Sequence, residues 1–386
     1  MRIGIVSETW PPEINGVALT VHGLAAGLAA RGHSIDVVRP RQARQGVAEP
    51  GFDTLFTRGV ALPRYPGLRL GLPAGHALRE RWAQQRPDAI YVATEGPLGG
   101  SALRAANALR IPVATGFHTR FDSYAGHYGL RWLTPLVRGH LRRFHRRAAA
   151  TLVPTEALAQ ELAGFGVDNA RLLRRAVDTQ LFHPGRRDPA LRARWGADAD
   201  TPVMLYVGRI APEKNLELAV QAFRTAQQQF PALRYVWVGD GPARAALQAA
   251  HPDFIFTGVQ RGEALARHIA SADLFPFPSL SETFGNVILE ALACGLPVVA
   301  YREGAAREHL RDGYNGYSIA PDYPAAFVVA TATLAGNPGL IRHMGRHAHE
   351  GMARLSPERV IREFETLLRE LAEERNHGHD TIAIHA

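Results

Sequence analysis

Short apolar runs alternate with longer amphipathic stretches along almost the whole chain. In the first half, strands read at 2–7, 34–39, 89–93, 112–116 and 151–154. Helical spacing marks 18–30, 76–85, 99–109 and 155–163 between them. The second half repeats the pattern, with strands at 203–207, 235–238, 254–257, 274–277 and 298–301. Strand and helix in alternation predict an α/β chain of two doubly wound parallel-sheet domains with helices on both faces. Residues 1–182 are expected as the first domain, 183–201 as a hinge and 202–356 as the second domain. At 357–375, Val360, Phe364, Leu367, Leu368 and Leu371 share one face of an amphipathic helix. Residues 376–386 read as a frayed tail, and no metal role is expected for its histidines. The Gly-, Pro- and Arg-rich stretch 42–75 predicts no regular element.

Composition narrows the class. A chain of 386 residues suits two cores. Its one cysteine, Cys294, excludes an internal disulfide framework, fits a reducing compartment and is expected to be a buried packing residue. Met1 to Ser7 turns polar too soon for a signal peptide, and no run approaches the ~18–20 apolar residues of a membrane span. A cytoplasmic protein is expected. The net charge is +8, but the basic residues are dispersed and match no nucleic-acid-binding motif, so no nucleic acid partner is expected. The densest basic segment runs from Arg131 to Arg147, with six arginines and no acid. Thr134 and Pro135 make a helix start there. Leu133, Val137, Leu141 and Phe144 then form one stripe, and Arg138, Arg142 and Arg146 another. Two readings stand: a core stripe with solvated arginines, or a helix lying on an anionic membrane surface.

Candidate chemistry gathers where strands end. Glu282 and Glu290 flank a helix start at Gly285-Asn286, and the apolar run Val287, Ile288, Leu289, Ala291, Leu292 anchors that helix. Two carboxylates about two turns apart suit a ligand with vicinal hydroxyls at both ends, and the N–H groups beside Gly285 favour an anion between them. The strand 203–207 runs into Gly208-Arg209 and then Lys214, a guanidinium fork and a point charge fitted to phosphate. The first strand runs into Asn15-Gly16-Val17, where a glycine lets backbone approach a ligand. After the strand 112–116, His118, Asp122 and Tyr124 stand near the sheet's carboxyl edge, and Glu95 follows the strand 89–93. Asp198-Ala199-Asp200 looks like a metal-binding pair, but it precedes a strand and reads as a loop. No Cys/His zinc spacing occurs either.

Gly208-Arg209 with Lys214, the Glu282/Glu290 pair and the Asn15-Gly16-Val17 loop, in that order, resemble family 4 of the retaining nucleotide-sugar glycosyltransferases. The resemblance implies the GT-B fold: two Rossmann-like domains facing a cleft, donor bound by the second, with the C-terminal helix crossing back to the first. It places Arg209 and Lys214 on the donor's phosphates, Glu282 on the transferred sugar and Glu290 on the ribose. Phe284, Gly285 and Asn286 line the donor, Val259 lies near the base, and Gly16 faces the donor from the first domain. His118 falls near the scissile bond, so His118, Arg209, Lys214 and Glu282 are the implied catalytic set, with Glu95, Asp122 and Tyr124 on the acceptor side. Transfer with retention, needing no metal or cofactor, follows from the same resemblance. The run of motifs is similar to bacterial glycolipid mannosyl- and glucosyltransferases and to sulfoquinovosyltransferases. This implies a nucleotide-diphosphate sugar as donor, GDP-mannose ahead of UDP-glucose, and a lipid-linked acceptor at the inner membrane face. A sugar-nucleotide epimerase of related fold is the alternative.

Overall fold

The computed structural model describes residues 1–13, 16–42, 49–61, 69–118, 134–280 and 284–383. The chain divides into two compact units, Met1–Ala176 with Pro357–Ala386, and Val177–Ser356.

In the first unit the apolar runs become β1 (Arg2–Val6), β2 (Ser34–Pro40), β6 (Ala89–Val92), β7 (Val113–Gly116) and β8 (Ala150–Val153). With β3 (Asp53–Thr57) and β9 (Ala170–Leu172) they form one parallel sheet in the order β3-β2-β1-β6-β7-β8-β9. β4 (Gly59–Ala61) and β5 (Arg69–Gly71) make a separate antiparallel pair. Side chains alternate across the sheet. Ile3, Ile5, Val37 and Tyr91 enter one core, while Val6, Val38, Ile90 and Val92 enter the other with Trp82 and Leu103. β3 and the β4/β5 pair fall in the stretch expected to be irregular. Ion pairs hold β3 at the sheet edge: Asp53 meets Arg2 at 2.9 Å and Arg81 at 2.7 Å, and Arg81 also meets buried Asp36 at 2.8 Å.

The long C-terminal helix, Pro357–Ala383, belongs to this unit. Val360, Phe364, Leu367, Leu368 and Leu371 are buried with Ile3, Val21, Leu24 and Tyr91. Gly27 is required where this helix packs on Gly16–Ala30, because a Cβ there would overlap the Ile361 side chain. The segment expected to fray continues the helix to Ala383, and no proline interrupts it.

The second unit carries β10 (Val203–Val207), β11 (Arg234–Val238) and β12 (Ile255–Gly258), and beside them β13 (Phe275–Phe277), β14 (Val298–Tyr301) and β15 (Gly316–Ile319), all parallel. A parallel bridge between Met204 and Leu274 joins the two sets. Leu205, Val236 and Phe275 face a core with Ile288, Leu289 and Leu292. Met204, Tyr206, Tyr235 and Trp237 face the other with Phe223, Phe254 and Phe327. Cys294 is buried, and burial pushes its thiol up.

Residues 183–201, the expected hinge, fall within the second unit. They include the helix Pro189–Arg194, and Leu191 and Trp195 join the second unit's core. Arg192 is buried and donates to the carbonyls of Asp198, Thr201 and Ser271, besides meeting Asp273 at 3.0 Å. The chain changes units at Ala176–Val177 and Ser356–Pro357. Asp198 closes a turn, accepting from the backbone of Asp200 and Thr201 and from the Thr201 hydroxyl.

In the helix Thr134–His145, Leu141 and Phe144 are buried and Val137 packs against the same side, so the apolar stripe is core. Leu136, Arg142 and Arg143 are exposed. Leu133 and Arg131 lie outside the described residues. Among the described residues no single helix is long and apolar enough to cross a membrane.

Truncation after Ser356 strips five large apolar side chains from the first core, at roughly 1.5–3 kcal/mol each against a typical total of ~5–15 kcal/mol. The truncated chain is expected to yield no cooperatively folding first unit, measured as loss of its melting transition by calorimetry.

Candidate active site

In the second unit, polar groups collect beyond the carboxyl ends of β10 and β13. Gly208 leaves β10 at φ +152. The loop after it is held by the loop after β11: Ile210 N–H donates to Asp240 at 2.9 Å, and Ala243 N–H returns to Ile210 at 3.0 Å. A Cβ at Gly239 would overlap the Gly208 carbonyl, and one at Gly241 the Ile210 carbonyl. This Gly239-Asp240-Gly241 brace was not singled out from sequence, although its glycine spacing was visible. Tyr206 Oη donates to the Arg209 carbonyl at 2.8 Å and fixes where the guanidinium starts. The Arg209 side chain is 58 % exposed and meets Glu213 at 3.3 Å. Lys214, half-buried, ends the 3₁₀ turn Pro212–Lys214, and left-handed Asn215 redirects the chain into the helix Leu216–Gln229. Asn215 Nδ2 donates to the Pro278 carbonyl at 3.4 Å, tying this loop to the one after β13.

The helix Asn286–Ala293 starts at Gly285, at φ +87, with no side-chain cap among the described residues. Its apolar face is locked by Ile288, Leu289 and Leu292. Asn286 and Glu290 are one turn apart and so share a face. Both are half-buried, and among the described residues neither side chain has a hydrogen bond or ion pair. Desolvation pushes the Glu290 carboxyl up to about 7. The Phe284 ring is buried at 4 %, edge-on to His309, and its carbonyl accepts from Ala305 N–H at 2.6 Å. Val259, beyond β12, is 54 % exposed. Glu282 lies outside the described residues.

In the first unit Gly16 opens the helix Gly16–Ala30 and is exposed. Asn15, Asp122 and Tyr124 lie outside the described residues. His118 is buried at 7 %, and both ring nitrogens are engaged: Nε2 with Tyr91 Oη at 2.6 Å, Nδ1 with Arg175 Nη2 at 2.6 Å. Burial, then the charges of Arg175 and His145, hold its proton affinity well below the ordinary imidazole range. Glu95 is buried, its Oε1 3.5 Å from His145 Nε2 with neither atom hydrogen-bonded among the described residues, while His145 Nδ1 bonds Thr115 at 2.9 Å. Glu8 was missed from sequence. Its buried carboxylate accepts from the N–H groups of Leu98 at 3.0 Å and Gly71 at 3.3 Å, occupying the start of the helix Pro97–Ala108. Burial pushes that carboxyl up, against the opposing pull of the N–H groups.

Comparison with known proteins agrees with this geometry. Residues 14–181 match the family described as "Glycosyltransferase Family 4", and residues 201–337 match "Glycosyl transferases group 1". The chain is 35 % identical to a GDP-mannose-dependent alpha-mannosyltransferase of Corynebacterium glutamicum, over 82 % of this chain and 76 % of the relative. It is 25 % identical to the alpha-monoglucosyldiacylglycerol synthase of Acholeplasma laidlawii, over 97 % of this chain and 98 % of the relative. Among solved structures, the sucrose-phosphate synthase of Thermosynechococcus elongatus shares the fold, with a TM-score of 0.78 at 20 % identity, over 96 % of this chain and 98 % of that one.

Glu290 gives a signed prediction. A carboxyl raised by burial destabilises the folded chain only when ionised. That effect is absent below the unfolded value near 4.5 and complete once pH passes about 7. Glu290→Gln is therefore expected to raise the melting temperature of the ligand-free protein more at about pH 8 than at about pH 5. The same variant is expected to shrink the melting shift given by nucleotide diphosphates, read by differential scanning calorimetry.

Proposed function

The chain belongs to the family 4 glycosyltransferases and is a hexosyltransferase, and on that premise we propose that it moves mannose from GDP-mannose to a hydroxyl of a lipid-linked acceptor. Transfer retains the configuration at the sugar's anomeric carbon and needs no metal ion. The observation that carries the donor reading is the half-buried Asn286/Glu290 face at a helix start, without side-chain partners among the described residues and linked through Asn215 and Pro278 to the Arg209–Lys214 loop. A ribose diol supplies the hydrogen-bond donors that Glu290 lacks, and those bonds favour its charged form. Nucleotide binding near pH 7 is therefore accompanied by proton release from this carboxyl.

Arg209 and Lys214 receive the diphosphate together with the N–H groups after Gly285. Their charge counts most when the bond between the anomeric carbon and phosphate oxygen breaks and a second negative charge develops on the terminal phosphate of the leaving group. The acceptor oxygen attacks the same face, and its proton passes to the departing phosphate oxygen. Glu282 holds hydroxyls of the transferred sugar. His118 reaches the sugar by exchanging Tyr91 for a sugar oxygen. Gly16 faces the donor, and Val259, an exposed apolar group, lies against the base.

Mannose is favoured by the similarity to a GDP-mannose-dependent enzyme, and UDP-glucose is the second donor to test, given the similarity to a glucosyl-diacylglycerol synthase. The latter also supports a lipid acceptor. So does the exposed basic face of Thr134–His145, with Arg138, Arg142 and Arg143, which suits a peripheral seat on the anionic inner leaflet.

Arg209→Ala and Lys214→Ala are each expected to cut kcat/KM by roughly 100–1,000-fold with little change in melting temperature. EDTA is expected to leave wild-type turnover unchanged. Near-normal turnover in either variant, measured with GDP-mannose and with UDP-glucose, would remove that residue from the reading.

A further inference from the structure

Arg175 is a buried cation with no acid paired to it among the described residues. It lies after β9, is 7 % exposed, and among the described residues meets no carboxylate within ion-pair reach. Its Nη2 donates to His118 Nδ1 at 2.6 Å, and its Nε is buried with no partner. Burying a guanidinium against a neutral ring is costly, and an apolar side chain of similar volume would fold more stably there. The residue is explained by what it does to its neighbour.

Guanidinium groups have donors only, so His118 Nδ1 must accept. A neutral imidazole then carries its proton on Nε2, which donates to Tyr91 Oη at 2.6 Å. Gly116 permits the arrangement, because a Cβ there would overlap both Tyr91 Oη and His118 Nε2. We propose that Arg175 is a positioning residue that fixes His118 as a neutral Nε2–H donor, able to give a hydrogen bond to a substrate hydroxyl oxygen but not to accept or deliver a proton. This rests on the reading of His118 at the transferred sugar. Protonating His118 would set two cations in contact, with a third titratable ring, His145, close by; among the described residues Tyr91, with Glu95 behind it, is the other titratable neighbour.

The test is nitrogen NMR of the full chain labelled with ¹⁵N-histidine, with His118 assigned by difference from His118→Gln. The expected result is a single Nε2–H tautomer that does not titrate across about pH 5.5–8.5. In Arg175→Met the ring is expected to populate both tautomers and to titrate in that window. Its kcat is expected to fall roughly tenfold or more, with a new acid limb in kcat/KM and little change in donor KM. Arg175→Lys, which keeps a cationic donor, is expected to restore most of the tautomer preference. A wild-type Nδ1–H tautomer, a His118 that titrates in the window, or an Arg175→Met chain matching wild type in tautomer and pH profile would overturn the proposal. Should Arg175→Met fail to fold, the wild-type spectrum and Arg175→Lys decide alone. Full turnover in His118→Gln would refute the sugar-side reading separately, without bearing on the tautomer.

Discussion

Parallel strands covered on both faces leave no room for polar chemistry inside the sheet. What such a chain offers a ligand must therefore gather in the loops beyond the strand ends. That constraint organises both units. In the second, β10, β13 and β14 are apolar on each face, and Arg209, Lys214 and Val259 all follow the carboxyl ends of strands. Glycine supplies the close fit. Gly239 and Gly241 bring the loop after β11 into backbone contact with the loop after β10 that side chains would forbid, and Arg209 stands on that brace.

Two helix starts show how the same local physics is put to opposite uses. At Pro97–Ala108 the chain's own Glu8 fills the positive end, so that start is internally satisfied. At Asn286–Ala293 no described side chain caps the start, and Asn286 and Glu290 have no described partner. The first arrangement stabilises a fold; the second leaves an anion-receptive helix end beside a desolvated carboxylate. Arg175 and His118 extend the contrast to a buried pair, where a cation with no described acid partner sets the proton position on a ring.

The sheet strands were legible because continuous apolar runs can only be buried, and the amphipathic C-terminal helix because Val360 through Leu371 keep strict spacing. β3 was not, since Asp53, Thr54 and Thr57 interrupt its apolar content and its hold comes from Arg2 and Arg81, distant in sequence. β15 was missed for a similar reason: Gly316 opens it, and that glycine is needed because a Cβ would strike the Val298 carbonyl. Within the site, residue types and order pointed to Arg209, Lys214 and Glu290, because phosphate and diol recognition need those groups. Burial was the hidden variable. Glu95 and Phe284 face inward, and Arg175 sits in an Arg-Arg pair that looks like surface charge until its partners are known. Within 183–201, Leu191 and Trp195 pack in the second core and Arg192 donates to the Ser271 carbonyl, contacts that the stretch's polar composition hides.

The account stands most directly on what Glu290 touches when a nucleotide is bound. A crystal structure of the full chain with GDP, and in parallel with UDP, decides it. The predicted result places both ribose hydroxyls within hydrogen-bond reach of the Glu290 carboxylate, about 2.6–3.2 Å, with the diphosphate on Arg209 and Lys214. A nucleotide bound elsewhere, or bound there with Glu290 turned from the ribose, would contradict it.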